Sequence, residues 1–218
     1  FIRSDPNNAR YASLELSIAG TTDKITFRGT FDYDDPGNQY NTLQRIEFAD
    51  GTAWGIAELV ARTLQPTDSA DALRGTPGAD LIQGGEGNDT IGGGAGDDTL
   101  YGDSGNDSVN GDSGNDRLFG NDGDDALAGG DGDDMLYGGS GADTLVGGNG
   151  ADTLEGGIGN DRLSGGFGNN VYLFGPGDGQ DVIDYYSDMS VGKFNVLRFK
   201  PGITAEQIIA RRVFDADF

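Results

Sequence analysis

Between Gly93 and Tyr137 the chain reads GGAGDDTLY, GDSGNDSVN, GDSGNDRLF, GNDGDDALA and GGDGDDMLY, five nine-residue units in one register. Extending the cut in both directions gives eleven gapless units over 75–173. A looser twelfth, PGDGQDVID, follows at 176–184 after the two-residue insertion Phe174-Gly175. Glycine holds positions 1 and 4 of all eleven units, and Asp holds position 6 of ten, with Asn170 the exception. Position 8 is aliphatic from Ile82 to Leu163, and Tyr172 closes the run. Repetition of this kind marks a solenoid, in which one unit cannot bury its apolar face until its neighbours stack on it.

A helix advances about 100° per residue, so position 8 of successive units would fall on opposite sides and no apolar stripe would form. The glycine content would defeat a helix in any case. Six residues rich in Gly, Asn and Asp predict a turn, and three residues remain for a short strand. The two-residue period of that strand points position 8 inward and positions 7 and 9 to water. Two units make one coil, so unit n lies beside unit n+2. The predicted class is all-β: a parallel β-roll of two sheets with a thin aliphatic core, carrying small α+β capping flanks.

The chain has 218 residues and a formal charge of -23, with 40 glycines, no cysteine and no histidine. These counts exclude Ser-His-Asp and Cys-His catalysis, disulfides, and the usual ligand sets of zinc, copper and haem. Residues 75–184 hold 22 acidic residues against Arg117 and Arg162, so -20 of the charge sits there and -3 elsewhere. Such acidity disfavours nucleic acid and anionic membranes as partners. No apolar run is long enough to span a bilayer. The chain starts at Phe1 without Met or a signal peptide and reads as a piece of something larger.

Stacked coils place the position-6 carboxylates in columns about 5 Å apart along each edge. Like charges at that spacing repel by roughly 0.8 kcal/mol even at the dielectric of water. Each unit buries one aliphatic side chain against nine residues of lost chain entropy, so the bare chain is expected to be disordered or nearly so. A cation must neutralise the columns. Carboxylates and main-chain carbonyls without sulfur or imidazole form a hard oxygen site, which suits calcium better than magnesium. No segment fits the helix-loop-helix calcium loop.

The units resemble the G-G-x-G-x-D-x-U-x nonapeptide of RTX (repeats-in-toxin) proteins over 75–184. The resemblance implies a calcium-binding β-roll from a large secreted bacterial protein, with ions held between turn n and turn n+2. It implies carboxylate ligands at Asp80, Asp89, Asp98, Asp107, Asp116, Asp125, Asp134, Asp143, Asp152, Asp161 and, in the looser unit, Asp181. It adds carbonyl ligands from positions 1 to 4. At position 1 these are Gly75, Gly84, Gly93, Gly102, Gly111, Gly120, Gly129, Gly138, Gly147, Gly156 and Gly165. At position 2 they are Gly85, Gly94, Gly130, Gly139, Gly148, Gly157 and Gly166, and at position 3 Ser104, Ser113, Asp122, Asp131, Ser140 and Asn149. At position 4 they are Gly78, Gly87, Gly96, Gly105, Gly114, Gly123, Gly132, Gly141, Gly150, Gly159 and Gly168. Asn170 lacks the charge, so its site with Asp152 is expected to be weak. About nine or ten Ca2+ ions follow, supplying roughly +18 to +20 against the -20 of the roll.

The organisation expected is a flanking module at 1–70, the roll at 75–184 and a capping segment at 185–218. Leu14, Leu16 and Ile18, then Ile25 and Phe27, then Ile46 and Phe48 alternate like half-buried strands, with Gly20-Thr21-Thr22-Asp23 as a turn. Ile56, Leu59, Val60 and Leu64 predict a short helix, and Phe194 to Phe199 a strand. Thr204 with Gln207 predicts a capping box that opens a helix through Arg211. Asp32, Asp34 and Asp35 read as a solvated loop, and Trp54 as core. Both flanks resemble the haemolysin-type calcium-binding-related module, the first in LSIAGTTDKITF and IEFADGTAW, the second in FGPGDGQDVID and LRFKPGITAEQI. That resemblance implies that they cap the roll, and that the chain is one period of a tandem array with its flanks as halves of one module type.

The expected function is a calcium-triggered folding module, secreted or displayed at the cell surface. Its expected partners are calcium, adjacent modules of the parent chain and, from the resemblance, the bacterial type I secretion machinery. The alternatives are an adhesin-type surface or glycan-binding module, and a non-catalytic part of a secreted enzyme or toxin. The irregular rows at positions 7 and 9 weaken the adhesin reading. The repeats absorb nearly all the clustered acids, so no enzymatic activity is expected.

Overall fold

The computed structural model describes residues 2–5, 8–17, 24–32, 45–47, 53–55, 66–184 and 194–210. Near the N-terminus, β1 (Ile2–Asp5), β2 (Asn8–Ser17) and β3 (Lys24–Asp32) form an antiparallel sheet in the order β1-β2-β3. Leu14 pairs with Phe27 and Leu16 with Ile25, so the alternating segments are strands as expected. A separate antiparallel pair, β4 (Arg45–Glu47) and β5 (Ala53–Gly55), sets Ile46 opposite Trp54. The turn expected at 20–23, the helix expected at 56–64, Ile18, Phe48, Asp34, Asp35 and the side chain of Trp54 lie outside the described residues.

The repeats form a two-sheet parallel β-solenoid. Its strands are β6 (Ala72–Arg74), β7 (Leu81–Glu86), β8 (Thr90–Ala95), β9 (Thr99–Ser104), β10 (Ser108–Ser113), β11 (Arg117–Asp122) and β12 (Ala126–Asp131). They continue as β13 (Met135–Ser140), β14 (Thr144–Asn149), β15 (Thr153–Ile158), β16 (Arg162–Phe167), β17 (Val171–Phe174), β18 (Val182–Ile183) and β19 (Val196–Phe199). Even-numbered strands from β6 to β18 make one seven-stranded sheet, and odd-numbered strands from β7 to β19 make the other. Each repeat sits beside the second one along, with Val109 opposite both Ile91 and Leu127. The insertion Phe174-Gly175 moves the last even pairing, so that Arg162 meets Val182. The ladder reaches past 75–184 at both ends, through β6 and β19.

The strands are longer than expected. Each full strand spans six residues, positions 7 to 9 and then 1 to 3 of the next unit, which leaves only positions 4 to 6 as the turn. Pairing lapses at position 1 and resumes at positions 2 and 3, as in Asp112 opposite Gly130. Positive φ at position 2 bends the chain while its amides stay in the ladder, so a glycine-rich stretch read as turn remains paired.

Position 8 forms the core. Twelve side chains from Leu73 to Tyr172 stack between the sheets, none more than 6% exposed. Tyr172 ends the column, where its phenolic oxygen accepts the Gly165 amide at 2.9 Å. Position 9 of the odd sheet carries a row hidden in a unit-by-unit reading: Tyr101, Phe119 and Tyr137 stack at 4.7 and 5.0 Å. Each ring face in the middle of that row is already covered by its neighbour.

At the far end β19 extends the odd sheet, and Lys200 pairs with Glu155 at 2.8 Å and Asp178 at 3.0 Å. The helix expected through Arg211 shrinks to one 3-10 turn, Ala205–Gln207, after which Ile208 is extended. The capping contact itself forms, with the Thr204 amide donating to Gln207 Oε1 at 2.7 Å. The described part of the segment packs no apolar face, with Ile209 75% exposed, and a helix this short does not persist on propensity alone. Arg211 lies outside the described residues.

Candidate metal centre

Each turn delivers its position-6 side chain into the roll rather than to solvent. From Asp89 to Asp161 these carboxylates are at most 3% exposed, and Asn170 is fully buried. One oxygen of each is accounted for. The Asp98 amide donates to Asp116 Oδ1 at 2.8 Å, the Asp116 amide to Asp134 Oδ1 at 2.8 Å, and the Asp134 amide to Asp152 Oδ1 at 2.9 Å. The other column repeats this from Asp71 through Asp89, Asp107, Asp125, Asp143 and Asp161 to Asp181.

The second oxygen has no partner. Oδ2 of Asp89, Asp98, Asp107, Asp116, Asp125, Asp134, Asp143, Asp152, Asp161 and Asp181 is buried without a hydrogen bond. An unpaired buried carboxylate oxygen is costly. Burial, followed by neighbouring carboxylates and opposed by the amide bond to Oδ1, pushes Asp98, Asp125 and Asp134 up to about 6 and Asp143 and Asp152 up to about 7.

The glycine at position 1 shows where these oxygens point. A Cβ on Gly129 would overlap Asp134 Oδ2 and lie 2.6 Å from the Gly147 carbonyl oxygen; one on Gly102 would overlap Asp107 Oδ2 and lie 2.8 Å from the Gly120 carbonyl. The same cradle, a carboxylate oxygen facing a carbonyl of turn n+2, recurs at Asp89, Asp98, Asp116, Asp125, Asp143 and Asp152. Glycine is needed there because any side chain would fill the cradle. At position 4 the reason differs: a Cβ on Gly105 would strike the Gly87 carbonyl of the adjoining coil.

Among the described residues no group of three carboxylates converges to hold an ion by side chains alone. Main-chain carbonyls must complete any coordination sphere, and the donor set is oxygen throughout. Unpaired, desolvated carboxylate oxygens opposite carbonyls fit a hard divalent cation, calcium above all. The expected position-3 carbonyls of Ser104, Ser113, Asp122, Asp131, Ser140 and Asn149 each accept a position-4 amide at 2.8 Å, which leaves one lone pair.

Three placements depart from the regular pattern. Asn170 turns its Oδ1 to the Asp152 amide at 2.9 Å, so its amide nitrogen occupies the place of the free oxygen elsewhere. Asp80 has its Oδ2 held by Thr76. Asp71, not anticipated from sequence, is 5% exposed and heads the second column from the irregular unit PTDSADALR at 66–74. Sequence reading also missed position 5. Asn88, Asn106, Asp97, Asn115 and Asp133 each accept the position-5 amide of the next coil, as the Asn106 amide does with Asn88 Oδ1 at 2.9 Å. Its signal was the prevalence of Asn and Asp at that position.

A model of the RTX calcium-binding nonapeptide repeat matches residues 67–100, 101–136 and 137–172, and a model of the haemolysin-type calcium binding protein related domain matches residues 14–58. None of the curated proteins matches the chain. The repeat match begins at Thr67, inside the irregular unit that the structure places at the head of the roll. Residues 67–172 are therefore RTX calcium-binding nonapeptide repeats, preceded at 14–58 by a haemolysin-type calcium-binding related domain.

Proposed function

We propose that this chain is a calcium-triggered folding module of a larger secreted bacterial protein, little ordered where calcium is scarce and rigid outside the cell. The observation that carries this reading is the row of ten buried, unpartnered Asp Oδ2 atoms. A roll with these groups ionised and unpaired is disfavoured at neutral pH. Bound calcium supplies the missing charge and the missing partners. The protein's own part is geometric: amides fix each Oδ1, position-1 glycines keep the cradle open, and left-handed backbone at position 2 bends each strand around it.

Ligands that bind only the folded state add stability by mass action, and stacked turns that share neighbours fill cooperatively. Sites of this loose type bind at about 10⁻⁴ to 10⁻³ M, matched to extracellular calcium. An unordered chain in the cytosol suits export through a one-step type I channel, and folding outside would seat the module against its neighbours in the parent protein. The β-roll is a structural fold, and its acids serve the columns. Circular dichroism during a calcium titration tests the reading. Strand signal is expected to rise cooperatively near millimolar calcium. Native strand content in chelator, unchanged by calcium, would overturn it.

A further inference from the structure

The two turns at the start of the roll differ from all that follow. In the next ten turns the position-2 residue has positive φ, from 70° to 120°, including Asp103, Asp112 and Asn121. Thr67 and Thr76 hold position 2 of the first two turns and do not adopt that conformation, which a β-branched residue resists. Their turns take another shape. The Thr76 amide donates to Asp80 Oδ2 at 2.6 Å and the Thr76 hydroxyl donates to it at 2.9 Å. Thr67 does the same to Asp71 Oδ2, at 2.7 and 2.9 Å. Asp71 and Asp80 are the first members of the two columns, and their Oδ2 atoms are absent from the unpartnered set.

We propose that Thr67 and Thr76 are built-in substitutes for the cation, closing the first turn of each column so that the ion columns begin at Asp89 and Asp98. Two donors on one carboxylate oxygen stabilise its charge locally. The need for this is greatest at a solenoid end, where a turn has a stacked neighbour on one side only. The Asp80 cradle still holds the Gly93 carbonyl, so what sets it apart is the pair of threonine donors and the ordinary backbone at position 2. The column that starts at Asp80 ends in a matching way, because the Asn170 amide nitrogen presents a donor where other turns present an acceptor. An unpartnered Oδ2 stands beside a facing position-1 carbonyl at Asp89, Asp98, Asp107, Asp116, Asp125, Asp134, Asp143 and Asp152. Fewer calcium ions are then held tightly than a count of carboxylates suggests.

This rests on the calcium reading above, and the test keeps the two apart. Bound calcium per chain is counted by equilibrium dialysis and native mass spectrometry on the full chain and three variants. Asp80→Asn is expected to keep the wild-type count and calcium midpoint, whereas Asp116→Asn loses at least one ion. Thr76→Gly combined with Pro77→Asp, which restores a repeat-like turn and frees Asp80 Oδ2, is expected to gain one. Loss of an ion in Asp80→Asn, or no gain in the double variant, overturns the cap alone. A wild-type chain that binds no calcium overturns the proposed function, and the cap with it.

Discussion

Replacing Asp134 by asparagine separates the two tasks of a position-6 carboxylate. Its Oδ1 accepts the Asp116 amide at 2.8 Å, which an asparagine carbonyl reproduces, while its Oδ2 is buried and unpartnered. Burial first, then Asp116, Asp133 and Asp131, raise its carboxyl from 3.8 to about 6. At about 1.4 kcal/mol per unit, the ionised group disfavours the metal-free roll by about 3 kcal/mol at pH 7. The sign follows from the raised value. Asp134 favours the folded state when protonated, below pH ~4, and loses that contribution as pH rises through about 6. The asparagine side chain never ionises. In chelator at pH 7 the Asp134→Asn variant is therefore expected to be about 3 kcal/mol more stable than wild type, and at pH 4 no different. The assay is urea unfolding followed by circular dichroism, with trimethylamine oxide added to populate the metal-free roll. With calcium the order reverses, because a ligand charge is gone, and the calcium midpoint is expected to rise about tenfold or more. A variant that is less stable in chelator at pH 7, or that titrates with calcium as wild type does, would refute the argument.

Acidification should order the chain without metal. Asp98 and Asp125 are raised to about 6 and Asp143 and Asp152 to about 7, chiefly by burial, so their contribution to the fold is present below pH ~4 and lost between there and pH ~7. Far-ultraviolet circular dichroism in chelator is expected to gain strand signal from pH 7 to pH 4, and a loss over that range would contradict the electrostatic account. In the core, Leu118→Ala removes a side chain with 0% exposure and is expected to cost about 2–5 kcal/mol in the calcium-loaded roll, read as a fall in the urea midpoint. A change below about 0.5 kcal/mol would mean that the stacked aliphatic column is not the core.

Period and chemistry lay open in the sequence because each repeat unit restates them. Gly at position 1, Asp at position 6 and Leu at position 8 each have one physical reason, and eleven copies in register leave no room for helix or for nitrogen and sulfur ligands. Geometry within the unit was less legible. Glycine signals a bend without saying whether the bent residue keeps its ladder bonds, so positions 1 to 3 read as turn although they belong to the strand. The aromatic row Tyr101-Phe119-Tyr137 was hidden because it emerges only when alternate units are compared, which is how the sheet assembles them. Asp71 escaped for a different reason. Its unit begins with Pro66 and has Ser69 where the others have glycine, and only the fold shows that Leu73 and Asp71 occupy repeat positions. The shortened helix after Thr204 marks the reverse case, a local signal that formed its cap but found no packing to extend it.

Positions 5 and 6 together explain why the column demands Asp. Both accept a backbone amide through Oδ1 with nearly the same geometry: the Asn115 amide meets Asp97 at 2.8 Å, and the Asp98 amide meets Asp116 at 2.8 Å. At position 5 Asn and Asp alternate freely, as in Asn88, Asn106 and Asp124 in succession along one edge, because a carbonyl oxygen is all that the amide requires. Hydrogen bonding alone would permit the same mixture at position 6, and it would be less costly, since Asn carries no charge into a buried column. Yet ten of eleven units hold Asp there. The strictness must therefore answer to the other oxygen, the one without a protein partner, and to its charge. Where that oxygen does have partners, at Thr67 and Thr76, the turn has lost the left-handed residue that every later turn keeps. Free oxygen and left-handed backbone are lost together in those two turns, which ties both to one task, the holding of a cation.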